Sequence, residues 1–522
     1  MSIDKIKKNS LVVSTSIVSA GTAFSRVLGL IREQVMAYYF GASAVTDVFV
    51  AAFRIPNLLR DLFAEGALSS AFVPVFKEKL VNESEDAAFG LARIVATAML
   101  VVIGAVVLLG IVATPFIMYI SAFGFTTDPD KFDLAVKLTQ IMWPFLLLVS
   151  LAALIMGILN SFGRFGIPAV APAVFNIGSV LCVVLMYDWF EVPIYTMAVG
   201  VLVGGMGQLA IQLPPLWRIG FRYRWTFNFL DESFRKVLKL FFPMVVGLSA
   251  SRINILVSTL LASFLMEGSL SFLNYSYRLM HFPLGVFAVA LGTVSLPNAS
   301  ELAARRDTDR LSSAFSDAIS LNMFLVVPSA AFLALMGREL VDVIYRWGAF
   351  SETNSANTAL ALLHYSYGLV GFAAVRVTVP IYYALKDASL PMKVSIFSVV
   401  LNIALYYPLI KMLDFAGLAA ATSIAGLVNF AVLLYFLPRK HVPVAFAPML
   451  LGFVRVGVAA TLAFWAASLI PVAIPASWSD GIGRLFQFGI RLAAGGLFYL
   501  GLCLILRVSE VRLIFNRMRG HR

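Results

Sequence analysis

The chain has 522 residues, 60% of them hydrophobic and only 13% charged, and its mean hydropathy of +0.89 makes it a polytopic membrane protein. The formal net charge of +12 is explained by basic residues at the cytoplasmic ends of spans, and no RNA or DNA motif accompanies it, so nucleic acid is excluded as a partner. The two cysteines, Cys182 and Cys503, lie far apart in apolar stretches, which excludes a disulfide framework or a cysteine metal site and leaves two small core residues.

At the N-terminus Lys5, Lys7 and Lys8 precede an apolar stretch in which Ala20 to Ala23 has the look of a signal-peptidase site. The apolar pattern continues past Arg32 as one segment, so the lysines orient a retained first span with a cytoplasmic N-terminus. Windows of about 20 apolar residues give fourteen spans, centred near residues 24, 54, 104, 146, 178, 204, 250, 284, 324, 370, 400, 427, 460 and 497. The expected class is therefore all-α, with about 14 transmembrane helices.

The first two spans are the unusual ones. Arg26 and Arg32 lie in the first, and Asp47, Arg54, Asn57, Arg60 and Asp61 in the second. Each charge costs roughly 2.5–3.5 kcal/mol on insertion scales if it faces lipid. Several arginines together are tolerable if they face a water-filled cavity or a partner anion, so the pattern points to a polar cavity that selects negative charge. On an ideal helix Asp47, Arg54 and Asp61 recur every seven residues and share a face, whereas Arg26 and Arg32 lie about 120° apart. Gly29 and Pro56 lie among the charges and permit local breaks. Asp47, Arg54 and Asp61 read equally well as a set of pairs that locks the fold. Arg26, Arg32, Arg60 and Arg278 have no obvious acidic partner in the sequence.

The remaining spans alternate in the charge of their connections. The even-numbered connections are basic, with Lys77 and Lys79; Arg164; Arg218, Arg222, Arg224, Arg235 and Lys236; Arg305, Arg306 and Arg310; Lys386 and Lys393; and Arg439 and Lys440. The odd-numbered ones hold mainly Lys131, Arg346, Lys411 and Arg484. This places both termini in the cytoplasm, the tail adding Arg512, Arg517, Arg519 and Arg522. No connection is long enough for a separate soluble domain.

The chain also repeats itself. GILNSFGRFGIPAVAPAVFNI (157–177) aligns without gaps to PIYYALKDASLPMKVSIFSVV (380–400), setting Pro168 on Pro391 at a spacing of 223. Ser25-Arg26 matches Ser251-Arg252, and Pro74 matches Pro297, at nearly the same offset. The offset spans six helices, so the halves share one orientation and are related by a pseudo-two-fold along the membrane normal. The expected division is an N-terminal lobe over 1–220, a C-terminal lobe over 221–440, and an appended pair of spans with a basic tail over 441–522. Two such lobes facing a cavity are the plan of a rocking transporter, with the first, second, seventh and eighth spans as the lining. Arg252, Ser258, Asn274, Ser276 and Arg278 make the seventh and eighth spans polar as well.

Three blocks carry a resemblance: SRVLGLIRE (25–33), FGASAVTDVFVAAFRIPNLLRDLFAEGALSSAFVPVF (40–76) and SLSFLNYSYRLMHFPLGVFAVALGTVSLP (269–297). They resemble the MurJ (MviN) family, the bacterial lipid II flippases of the multidrug/oligosaccharidyl-lipid/polysaccharide exporter superfamily, over nearly the whole chain. The resemblance implies a fourteen-helix protein of the bacterial inner membrane that moves lipid-linked peptidoglycan precursor to the outer leaflet, in contact with membrane lipids. It implies a substrate site at Arg26, Arg32, Arg60 and Arg278, with Ser25, Asp47, Asn57, Glu65 and Ser271 beside them and Arg54 and Arg252 as further candidates. Lipid II presents a pyrophosphate and carboxylates, which guanidinium forks bind in bidentate fashion. The resemblance also allows a lipid-tail groove beside the last two spans, where Arg455 and Arg491 read as snorkelling anchors.

The chain departs from that family at His281, where an acid is common, and lacks acids inside its seventh and eleventh spans, so no sodium site, metal or cofactor is expected. Asp128-Pro129-Asp130, the best candidate for an enzyme's acids, reads as a capping turn, and no nucleophile elbow, zinc spacing or phosphate loop occurs. The chain is thus expected not to be an enzyme. The alternatives are a flippase for another polyprenyl-linked oligosaccharide, and a drug or cation antiporter of the same superfamily, which would want acids in the cavity.

Overall fold

The computed structural model describes residues 3–61, 68–288, 299–305, 307–440, 442–475, 479–508 and 510–511, without the side chains of residues 3–17 and 246–251. Glu65, Pro297, Arg306 and the arginines of the C-terminal tail lie outside the described residues. Regular structure among the described residues is helical throughout. The first unit holds α1 (Ile3–Phe40), α2 (Ala44–Arg60), α3 (Ser69–Asn82), α4 (Glu85–Ser121), α5 (Pro129–Met142), α6 (Pro144–Ser161), α7 (Gly166–Met186), α8 (Tyr195–Ala210), α9 (Leu213–Arg218) and α10 (Glu232–Ala262). After α11 (Ser269–Pro283) come α12 (Thr308–Leu335), α13 (Gly337–Ile344), α14 (Glu352–Ala384), α15 (Ser389–Leu413), α16 (Ala416–Phe436), α17 (Phe446–Ser468) and α18 (Asp480–Ile505).

The helix starts are set by side chains. Ser84 Oγ accepts from Ala87 N at 3.2 Å to open α4, and Asp231 Oδ1 accepts from Phe234 N at 3.0 Å to open α10. Asp128 accepts from the amides of Asp130 and Lys131 with Pro129 at the first helical position, so this acid-Pro-acid run is the capping turn its sequence suggested. Neither Gly29 nor Pro56 breaks a helix, since α1 and α2 run through them.

Ten helices among the described residues are long and apolar enough to cross a membrane, and they fall at the expected third to sixth and ninth to fourteenth spans. The other four expected positions hold α1, α2, α10 and α11. Of these, α2 is short at 17 residues and α11 at 15, while α1 and α10 include side chains that are not described. Helix boundaries recur at the offset of the sequence repeat: Glu85 and Thr308 open helices, Gly166 and Ser389 open helices, and Ser161 and Ala384 close them, each pair 223 residues apart.

The chain divides into two compact units, Met1–Leu270 and Ser271–Arg522. In the first, α7 packs between α1 and α8, and α6 touches α3, α4 and α8. The seam between α7 and α8 is built on small residues: Ser179 Oγ donates to Gly200 O at 3.1 Å, and a Cβ on Gly200 would meet Ser179 O at 3.0 Å. α10 packs on α3 and α4 of this unit. In the second unit α14 packs on α12 and α16, and α17 on α12 and α18. Asn322 Nδ2 donates to Ala373 O at 3.1 Å and Tyr499 OH to Phe324 O at 2.7 Å, tying α12 to α14 and to α18. Cys182 and Cys503 are both buried and free, as expected of core residues.

Candidate functional site

Within the first unit the ionisable residues of α1, α2 and α10 form three groups. On α1, Arg32 Nη2 bonds Glu33 Oε1 at 2.8 Å, and its guanidinium lies over the Phe175 ring of α7, 5.4 Å from the centroid. Glu33 is only 3% exposed. About two turns earlier, Asn176 Nδ2 of α7 donates to the carbonyl of Ser25 at 3.2 Å, so side chains of α7, one aromatic and one polar, brace α1 at both levels. Arg26 is exposed on the same helix.

At the end of α2, one carboxylate is shared. Asp61 Oδ1 accepts from Arg60 Nη2 at 2.9 Å and from Nε at 3.3 Å, while Oδ2 accepts from Arg252 Nη1 of α10 at 2.8 Å. The Asp61 amide caps the helix on the carbonyls of Asn57 and Leu58, which fixes the carboxylate beside Arg60. Arg252 Nε is buried without a hydrogen-bond partner among the described residues. An unsatisfied buried donor is a standing cost that an oxyanion would remove.

Two more contacts join α2 to the far end of α10. Arg54 Nη1 donates to Thr259 Oγ1. Asp47, 3% exposed, accepts the amide of Gly268 on Oδ2 at 2.7 Å. Asp47, Arg54 and Asp61 thus lie along one helix face, as their spacing predicts, with a different partner in α10 or just after it at each level.

The reading that Arg32 and Arg60 lack an acidic partner is corrected, since Glu33 and Asp61 serve them. In both pairs the acid is the next residue, a spacing that does not share a helical face on an ideal wheel and so carries no pairing signal in the sequence. Thr259 and Asn176 were also missed, because a neutral side chain inside a span carries no charge signal.

In the second unit, Ser271 is fully buried and Arg278 is exposed on α11. His281 Nδ1 lies 3.1 Å from the carbonyl of Tyr277, one turn back on its own helix, with the two rings 3.9 Å apart. Arg376, an exposed arginine inside α14, lies in the same unit. Arg376 escaped the sequence reading although it is an arginine within an apolar span. Arg491 is the other correction. It is no snorkelling anchor: Nη1 bonds Glu339 Oε1 of α13 at 2.6 Å, and Nε and Nη2 donate to Ile470 O at 3.1 and 3.0 Å. Arg455 is exposed.

The family model described as "Lipid II flippase MurJ" matches residues 36–485, which is most of both units. The chain belongs to the lipid II flippase MurJ family. A relative from Vibrio cholerae named "Probable lipid II flippase MurJ" is 36% identical over 451 residues, covering 83% of this chain and 85% of its own. One from Burkholderia cenocepacia named "Lipid II flippase MurJ" is 33% identical over 428 residues, covering 81% and 83%. Among solved structures, a lipid II flippase MurJ in an inward closed conformation superposes with a TM-score of 0.78 at 27% identity, covering 94% of this chain and 98% of that one. An inward-facing multidrug resistance MATE transporter of the MOP superfamily superposes at 0.62 with 12% identity, covering 82% of this chain and 98% of that one, a likeness of fold alone. This member of the MurJ family is therefore a multi-pass membrane protein whose relatives are named as transporters of a lipid, not as enzymes.

Proposed function

We propose that the chain carries lipid II from the cytoplasmic to the outer leaflet of the bacterial inner membrane, and that it is a transporter without catalytic activity. The family match over residues 36–485 carries this reading, and the ionisable residues of α1, α2, α10 and α11 supply its chemistry. Arginines outnumber acids there, which favours an anionic cargo over the organic cations of a drug antiporter. A shared superfamily fold does not discriminate between the two.

In this reading Arg26, Arg32, Arg60 and Arg278 grip the pyrophosphate and carboxylates, with Ser25, Asp47, Asn57, Glu65, Ser271, Arg54 and Arg252 around them. Glu33 and Asp61 hold Arg32 and Arg60 in place while the site is empty. The incoming pyrophosphate competes with Asp61 for Arg60 and satisfies the open Nε of Arg252. Fourteen spans in lobes 1–220 and 221–440, with 441–522 appended, rock to expose the site to each side in turn. Membrane lipids surround the protein, and both termini lie in the cytoplasm.

Depleting the protein in its host and measuring the leaflet on which lipid II accumulates tests the function. Cytoplasmic-side accumulation is expected, whereas a block in lipid II synthesis would mark an enzyme. Normal lipid II export, with another polyprenyl-linked sugar held back, would mark a different cargo. Orientation is tested separately: single cysteines at Asp128 and Asn354 should react with impermeant thiol reagents in intact cells, and those at Glu78 and Asp307 should not. The reverse pattern would invert the assigned direction.

A further inference from the structure

Between α9 and α10 the chain passes through FRYRWTFNFL, residues 221–230, without regular structure up to Asn228 and with a turn at its end. Its aromatic residues alternate with polar ones, so Tyr223, Trp225, Phe227 and Phe229 fall on one side and Arg222, Arg224, Thr226 and Asn228 on the other. The rings form a continuous ladder, with centroids 5.7 Å apart for Tyr223 and Trp225, 5.8 Å for Trp225 and Phe227, and 6.1 Å for Phe227 and Phe229. A ladder of this kind is ordinarily a core feature, yet Trp225 is 61% and Phe227 63% exposed.

The strap is held at a defined height. Phe221 is buried against Phe89 of α4, Arg93 Nε donates to Arg222 O at 3.0 Å, and Thr97 Oγ1 lies 3.2 Å from Tyr223 OH and accepts the Thr226 amide at 3.2 Å. Arg93 is the last charge of α4, because Ile94–Ser121 contains no Asp, Glu, Lys, Arg or His. Thr97 lies about 6 Å further along the helix axis, so the ladder stands where α4 passes from water into hydrocarbon, the level that Trp and Tyr favour in membranes. Arg222, Arg224 and, at the start of α10, Arg235 and Lys239 are exposed beside it. Two Arg222 contacts are to the carbonyls of Trp217 and Phe221.

We propose that residues 222–230 form an interfacial strap that binds anionic phospholipid headgroups at the membrane face where α4 begins. The aromatic side inserts among the glycerol backbones and Arg222 and Arg224 take the headgroup phosphates. The occupant is lipid and not a partner protein because the ladder continues the aromatic belt of a spanning helix and the charges on its polar side, Arg222 and Arg224, are both cationic. The strap ends at Asp231, the cap of α10, so the bound lipid fixes the base of the helix that carries Arg252. This site is separate from the arginines of the transport site and does not depend on what they carry.

Trp225 is the reporter. The full chain is reconstituted in phosphatidylcholine nanodiscs with a trace of brominated phosphatidylglycerol or brominated phosphatidylcholine, and the Trp225 signal is taken as the difference from a Trp225→Phe variant. Brominated phosphatidylglycerol should quench more, with an occupancy advantage of about fivefold for each arginine engaged and so up to about twenty-five-fold for the two, and the excess should vanish in Arg222→Gln/Arg224→Gln while quenching by brominated phosphatidylcholine persists. In the chain with native arginines the excess should also shrink as salt is raised, a check that holds even if the double variant folds poorly. Equal quenching by the two lipids, quenching by neither, or an excess indifferent to salt would overturn the proposal.

Discussion

Arg252 on α10 and Arg491 on α18 both sit in helices of a membrane protein, and both touch one carboxylate. Arg491 is 15% exposed in its side chain, and its guanidinium is engaged on three sides by Glu339 and the Ile470 carbonyl, at the end of the preceding helix. Arg252 is 28% exposed, shares Asp61 with Arg60, and keeps a buried Nε without a partner among the described residues. The first arrangement completes a fold; the second leaves room for something to arrive. On the proposed reading of the site, the number of donors an intramembrane arginine has already committed, more than its depth, is what distinguishes Arg252 from Arg491.

Breaking the Arg491–Glu339 pair from the arginine side should give the largest effect. Arg491→Met leaves Glu339 partly buried with its ionic partner gone, a loss of about 3 kcal/mol or more, and thermal unfolding in detergent together with membrane abundance should fall. Adding Glu339→Gln should restore most of both. If Arg491→Met accumulates and melts normally, the structural side of the comparison is wrong.

Ala substitutions at Arg26 and Arg278, and at Arg32 and Arg60 with the adjoining acid neutralised as Glu33→Gln or Asp61→Asn so that no carboxylate is stranded, should do the reverse. Each removes a charge-assisted contact of roughly 1.5–3 kcal/mol, so transport drops about tenfold to a hundredfold at normal abundance, read by complementation of a depleted strain alongside an immunoblot. Lys at the same positions keeps the charge without the fork and should fall between. Function that merely tracks a reduced abundance would move these arginines into the class of Arg491.

The smallest effect sharpens the Arg252 side. Asp61→Asn withdraws the internal competitor, so the affinity for an anionic lipid-linked sugar should rise severalfold, the equivalent of about 1 kcal/mol, with stability little changed. Weaker binding would mean that Asp61 positions Arg60 and Arg252 more than it competes for them.

How much of this was legible beforehand follows from what each feature depends on. Span positions are local sums of hydrophobicity, and the ten long helices fall where the sequence put them. The internal repeat is a property of order along the chain, and helix boundaries 223 residues apart reproduce it. The capping role of Asp128 is local too. Partnerships are not local: Arg491 meets Glu339 across 152 residues and Arg54 meets Thr259 across 205, and nothing short of the packed helices selects those pairs. Glu33 was hidden differently, by a rule about helix faces that an adjacent pair of long, flexible side chains can evade.

The packing of α14 on α16 in the second unit runs through a glycine pair, and that pair has a mechanical consequence. A Cβ on Gly371 of α14 would come within 2.7 Å of the Gly426 carbonyl group of α16, so the two backbones touch with no side chain between them, and Ser423 Oγ donates to His364 O at 2.7 Å alongside. Dispersion forces between bare backbones fall off steeply with separation, and the hydrogen bond adds resistance to sliding. These two helices should therefore travel as one stiff plate, passing a tilt applied at one end undiminished to the other.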